Sequence, residues 1–250
     1  MMYVICFYWQ GERWQETDFD DKGGFKTFER HLKKAGKISH DLPSRYVNNL
    51  YWGVKRFSTK EFKFVCYTNE PITEGLDPGV EIRPLKQVTD RGVLPRIYMF
   101  SEEAGLFGHQ VLCLDIDVVI TGSLKNFMEY EGLFCARSNF RPANETRIDG
   151  DIMSFKACKE TEDVFWKPFI KDIKRAERIT MGRERFWIRH AGEHIAELWD
   201  KYASGQIWSY KRHLKNRNVN TLPSKVRIVS CHGVPRPHQI KDKWIKEYWK

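Results

Sequence analysis

Residues 111–124 read VLCLDIDVVITGSL: an apolar run stops at two carboxylates, Asp115 and Asp117, and then resumes. A short continuous apolar run of this kind fits a strand buried inside a sheet. On a strand, residues i and i+2 point to the same side, so both acids face one spot at the strand's end. Two anionic oxygens meeting there are costly to bury without a cation. Mg²⁺ or Mn²⁺ suits the pair, because hard divalent ions take carboxylate oxygens and leave positions open for phosphate. The alternative is structural: the acids cap the turn that follows the strand.

The flanking pattern bears on that choice. YVICFYW near the start is an apolar, β-rich run, followed by a polar loop from Gln10 to Gly24. SRYVNNLYWGVKRF (44–57) spaces Tyr46, Leu50, Val54 and Phe57 as one face of an amphipathic helix, with Ser44 as N-cap. FKFVCYT (62–68) and VEIRPL (80–85) read as strands, and 94–105 as the helix before the acidic strand. Such alternation predicts an α/β fold with a mostly parallel sheet and helices on both faces. Parallel sheets bind ligands beyond the carboxyl ends of their strands, where Asp115 and Asp117 fall. Placement therefore favours a site over a cap.

Further along, LFCARS (133–138), DIMSFKA (151–157) and VRIVSCHG (226–233) read as strands. Segments 160–178, 191–204 and the terminal WIKEYW read as helices. No repeat or linker interrupts the 250 residues, and one domain is the simplest organisation. No apolar run approaches the roughly 20 residues of a membrane span. The apolar N-terminus lacks a basic leader and a cleavage site, which points to a cytoplasmic protein. The six cysteines are scattered, with no C-x-x-C pair, and read as reduced, mostly buried thiols. Asn144-Glu145-Thr146 matches a glycosylation acceptor by chance.

A second cluster begins at His232, which closes a β-rich run and is followed by Gly233, Pro235, Arg236, Pro237 and His238. A strand-end imidazole can serve as a third metal ligand, and Arg236 can grip a diphosphate through two parallel hydrogen bonds. The structural alternative is a histidine satisfied within the fold.

With both clusters in view, the chain resembles the glycosyltransferases of the GT-A fold, of the glycogenin/lipopolysaccharide-galactosyltransferase type, and most closely a bacterial and bacteriophage branch of it. The resemblance runs through RYVNNLYWGVKRF, FKFVCYTNE, LDPGVEIRPL, LPRIYMF, VLCLDIDVVITGSL, IWSYKRH and VSCHGVPRPH. It implies a single GT-A domain whose first half, 1–125, binds the nucleotide and whose second half, 126–250, faces the acceptor. Asp115, Asp117 and His232 would hold Mn²⁺ or Mg²⁺ against the diphosphate of a UDP-sugar. Phe7 and Tyr8 would lie against the base, Arg96 near the sugar or phosphates, and Ile116, Gly233 and Arg236 along the diphosphate. Asp149-Gly150-Asp151 and Arg183-Glu184-Arg185 replace the segments that usually contact the transferred sugar. Asp149, Asp151 and Glu184 are thus the candidate catalytic carboxyls. The resemblance also implies retention of anomeric configuration.

Two acceptors compete. One is a saccharide or lipid-linked glycan, the family's usual setting. The other is phage DNA bearing hydroxymethylated pyrimidines, suggested by the net charge of +9 and by Arg185, Trp187, Arg189, Lys211 and Arg212 with aromatics between them. The same basic residues suit peripheral contact with an anionic membrane. Outside the transferases stand a binding protein that has lost catalysis and a Mg²⁺-dependent phosphatase or nuclease. The latter needs more acids at strand ends than the sequence supplies.

Overall fold

The computed structural model describes residues 1–9, 43–69, 72, 74–140, 148–215, 217, 219–232 and 235–250. The loop Gln10–Gly24, the Asn144–Thr146 triplet and Gly233 lie outside the described residues.

All seven residues of β1 (Met2–Tyr8) are buried, as an uninterrupted apolar run demands of a central strand. It pairs in parallel with β2 (Phe62–Thr68) on one side and β4 (Gln110–Leu114) on the other. β3 (Val80–Pro84) extends the parallel array beyond β2. Alternate residues of β1 feed two apolar layers, one on each face: Tyr3, Ile5 and Phe7 in the first, Met2, Val4, Cys6 and Tyr8 in the second. The mostly parallel α/β sheet expected from the sequence is present.

The sheet is mixed on its far side. β7 (Ile148–Lys156) runs antiparallel between β4 and β6 (Phe134–Ser138), and β8 (Glu197–Leu198) closes the order β3-β2-β1-β4-β7-β6-β8. Because β7 is reversed, its first residues lie at the carboxyl edge of the parallel strands: Leu114 pairs with Ile152, and Asp115 N donates to the Asp151 carbonyl at 2.9 Å. A second sheet pairs β5 (Val118–Ile120) with β10 (Ile228–Ser230), and β10 with β9 (Ile207–Ser209). It rises directly from the acidic pair and carries its own apolar cluster, including Val119, Val229 and Trp244.

Helix Pro43–Phe57 buries Tyr46, Leu50 and Val54 as the spacing required. It begins one residue before Ser44, which sits in its first turn. Gly53 lets this helix approach β5 closely, since a Cβ there would lie 3.2 Å from Ile120.

Several helical expectations need correction. The helix expected over 94–105 is present as two 3₁₀ pieces, Leu94–Phe100, with Pro95 in its first turn and all seven residues buried, and Glu102–Ala104, broken at Ser101. The stretch 160–178 breaks at Asp172, whose carboxylate caps Ile173–Thr180 by accepting from Arg175 N at 2.9 Å. The helix expected over 191–204 is instead Glu184–Gly192, burying Glu184, Trp187, Ile188 and Gly192, followed by β8 and a four-residue helix. The six thiols are free, five of them buried. Among the described residues, no helix is long and apolar enough to cross a membrane.

Candidate active site at the carboxyl edge of the sheet

β4 delivers Asp115, and the turn into β5 delivers Asp117. The start of β7 brings Asp149 and Asp151 to the same edge, and the end of β6 brings Arg137. The register shifts between Ala136 and Arg137, so residues 150–152 of β7 have no partner on β6. This bulge re-aims the strand where the two acids leave it. Arg137, 3% exposed, then spans both: Nη2 lies 2.8 Å from Asp149 Oδ2, and Nε lies 2.6 Å from Asp151 Oδ1. The hydroxyl of Ser230, on β10, donates to Asp151 Oδ2 at 2.5 Å. Burial raises the Asp151 carboxyl, but Arg137 and Ser230 outweigh it and hold this acid below its usual range.

Arg96 fills the equivalent place on the other side. Its Nη1 lies 2.6 Å from Asp115 Oδ1 and 2.9 Å from Glu184 Oε2, and its Nη2 donates to the Gly150 carbonyl at 3.1 Å. One guanidinium therefore serves two carboxyls. Burial raises the Asp115 carboxyl, against Arg96 and with Asp151 and Asp149. Burial also pushes Glu184, 2% exposed, up to about 8; Arg96 opposes the shift, and Asp115, Asp149 and Asp151 add to it.

This has a consequence for stability. An unfolded glutamate ionises near 4.3, whereas folded Glu184 keeps its proton to about pH 8. Between those values the folded state binds more protons, so Glu184 makes stability fall as pH rises, by at most about 1.4 kcal/mol per unit. Melting curves from pH 5 to 8 should fall less steeply for Glu184→Gln than for the parent. Parallel curves would contradict the assignment.

Arg236, partly buried, ion-pairs with Asp117 Oδ2, and Asp117 Oδ1 is buried without a partner. His232 lies just beyond β10, where Nε2 meets Ser209 Oγ at 2.9 Å, and burial lowers its basicity and keeps it neutral. His238 bonds Tyr46 Oη at 2.5 Å. Five carboxyls at this edge are met by four guanidiniums, the last being Arg185 at 3.9 Å from Asp149. With Glu184 protonated up to about pH 8, the four aspartates and the four guanidiniums balance in charge. Among the described residues, no three His, Cys, Asp or Glu side chains converge as a ligand set. The orphaned Asp117 oxygen still fits a divalent cation in its chemistry, while Asp115 is held by Arg96 and the His232 Nε2 by Ser209. Such an ion would compete with Arg236 for Asp117.

The other expected residues divide. Phe7 and Tyr8 end β1 at the rim, but they are 5% and 8% exposed, and Phe7 packs against Tyr67 at 5.2 Å, leaving little of either ring for a base. Ile116 is partly buried between two apolar clusters. Trp187 belongs to the core, 4% exposed, and donates to the Phe165 carbonyl at 2.9 Å, so it offers no face to an acceptor. Exposed Arg189 lines a surface cavity of about 730 Å³ with Met181 and Phe186, whereas Arg185, Lys211 and Arg212 line another of about 500 Å³ beside Asp149 and His232. The single patch expected is thus two. Arg137, Ser209 and Ser230 were not singled out from the sequence. For Arg137 the signal was available: a cation closing the apolar run LFCARS.

No family model matches the sequence, and no curated protein matches it. Solved structures do. A galactosyltransferase, LgtC, in complex with donor and acceptor sugar analogs, superposes with a TM-score of 0.61 at 10% identity, over 96% of this chain and 90% of that one. The glycosyltransferase GlyE of Streptococcus pneumoniae TIGR4 gives 0.58 at 12%, over 97% of this chain and 58% of that one. The bifunctional glycosyltransferase WbbM gives 0.53 at 9%, over 94% and 46%. The reversed β7 beside the acidic strand, the carboxyls gathered at that edge and the match along nearly the whole chain agree: this chain has the GT-A glycosyltransferase fold.

Proposed function

We propose that the chain is a metal-assisted glycosyltransferase that moves a hexose from a UDP-sugar to the hydroxyl of a saccharide or lipid-linked glycan, with retention of configuration. The observation that carries this reading is Asp117, whose buried, unpartnered oxygen lies among the clustered carboxyls of a GT-A scaffold. Asp115, Asp117 and His232 would hold Mn²⁺ or Mg²⁺. Bound there, the ion supplies a Lewis acid that neutralises charge on the departing diphosphate.

The chain's own groups do the rest. Residues 1–125 hold the donor, with Arg96 near the sugar and Arg236 turned from Asp117 to the diphosphate. Arg137 and Ser230 keep Asp151 ionised and fixed, so its charge can stabilise an oxocarbenium-like sugar. Asp149, half-buried on the cavity wall, faces the incoming hydroxyl. The acceptor oxygen bonds to the anomeric carbon as the carbon–oxygen bond to the diphosphate breaks. The electron pair leaves with the diphosphate, and the hydroxyl proton passes to its oxygen.

Incubation with Mn²⁺ and UDP-glucose, UDP-galactose or GDP-mannose tests the reading through release of free nucleoside diphosphate and through thermal shifts. Slow hydrolysis of one UDP-sugar is expected. A thermal shift without hydrolysis would point to a binding protein that has lost catalysis. Neither signal with any donor would overturn the proposal.

A further inference from the structure

Beside the carboxyl cluster lies a cavity of about 500 Å³ whose walls include Asp149 and His232 and four cations: Arg185, Lys211, Arg212 and Lys215. That volume suits a small-molecule subsite. Three of the cations come from one tight π-helical turn, Tyr210–Leu214, and the residue after it. The turn is anchored at Ser209, whose hydroxyl accepts from Arg212 N at 3.3 Å and also meets His232 Nε2 at 2.9 Å. The cations are therefore held in register with the candidate reaction site.

Their charge is unbalanced. No carboxylate among the described residues pairs with Lys211, Arg212 or Lys215. The one acid on the wall, Asp149, is already bound by Arg137 at 2.8 Å. Burial and the neighbouring Lys215 and Arg212 hold the Lys211 ammonium below its ordinary range, as expected of like charges crowded without an anion. Every described lining residue falls in 139–232, whereas Phe7, Arg96 and Asp115 come from the first half.

We propose that this cavity is the acceptor subsite and that the acceptor is itself anionic: a phosphate ester of a saccharide, free or carried on a lipid. Lys211, Arg212, Lys215 and Arg185 hold the phosphate, and the hydroxyl that attacks the donor sugar projects past Asp149. Guanidinium and ammonium groups together suit a phosphate, one as a planar fork and the others as point charges. This inference rests on the glycosyl-transfer reading for its chemistry but not for its binding.

The test therefore has a binding arm and a turnover arm. In calorimetry without donor, the protein should bind hexose 1- or 6-phosphates at least ten times more tightly than the free hexoses. Lys211→Ala and Lys215→Ala, in a tight turn but with side chains open to the cavity, should each weaken that binding about tenfold while circular dichroism stays unchanged. With the donor found active above, phosphorylated acceptors should exceed neutral ones at least tenfold in kcat/KM. The same variants should raise the acceptor KM far more than the donor KM. A soluble hexose phosphate and a polyprenyl-phosphate-linked sugar in detergent micelles distinguish the two sources. Equal binding of neutral and phosphorylated sugars would overturn the proposal. So would an equal rise in donor KM, which would give the cavity to the donor's diphosphate. Tight, salt-sensitive retention of duplex DNA without preference for sugar phosphates would overturn it in favour of nucleic acid. If no donor is hydrolysed, the binding arm still decides.

Discussion

Arg96→Ala is expected to cost about 3–5 kcal/mol of stability and roughly 10 °C in melting temperature. Arg96 is 5% exposed and serves Asp115 and Glu184 together. Removing it leaves the Asp115 carboxylate without its adjacent counter-charge in a buried setting, beside Glu184, the circumstance in which a broken ion pair is most damaging. The loss should grow with pH. In the parent Glu184 ionises above about pH 8 and gains the full ion pair with Arg96; without Arg96 its carboxyl is pushed higher still, so above that pH the parent gains what the variant cannot. Arg96→Lys should recover part of the stability, because an ammonium restores the charge without reaching both carboxyls and the Gly150 carbonyl. Thermal denaturation of both variants at pH 6 and pH 8.5 checks this. A melting temperature unchanged by Arg96→Ala at the higher pH would mean that the triad is not the electrostatic keystone of the edge.

Asp117→Ala is expected to lose detectable donor hydrolysis while remaining folded. The substitution removes a carboxylate that is 5% exposed, yet its partner Arg236 is open enough to turn towards water, so stability should fall by only about 1–2 kcal/mol. His232→Ala should act on the same property, since it removes the third donor. Calorimetric Mn²⁺ binding separates a lost ligand from a lost fold: both variants should bind the ion more weakly yet melt cooperatively. Full activity in both would remove the basis for placing a cation at Asp115 and Asp117.

How far the sequence announced this arrangement depends on what each local pattern encodes. The run ending at Asp115 was legible because a strand buried on both faces must be apolar throughout, and two acids can interrupt it only where it meets the edge. Helix Pro43–Phe57 was legible from its spacing. The reversal of β7 was not, because a period of two is the same in either direction. That reversal places Asp149 and Asp151 beside Asp115, so the family pattern pointed to these residues while the periodicity did not. Glu184–Gly192 did carry a helical spacing in Glu184, Trp187 and Ile188, but a buried glutamate reads as a surface residue until its arginine is known. Phe7 and Trp187 erred the other way: aromatic residues near a site suggest stacking, whereas packing claims them first.

The small sheet has a consequence in time. Asp117 and Arg236 stand 119 positions apart, and β5 waits on β10 for its partner. The entropy of closing so long a loop must be met before that contact returns anything. Within the parallel core β2–β3 and β1–β2 close shorter loops, Phe64 pairing with Val80 and Met2 with Phe62, but β1–β4 joins Met2 to Gln110, as long a loop as Ile120 to Ile228. The acidic corner needs both long closures and belongs to the last stage of folding. A refolding chain should regain most of its far-ultraviolet signal before it can bind a divalent ion, and the delay between the two would time the closure of these two long-range pairings.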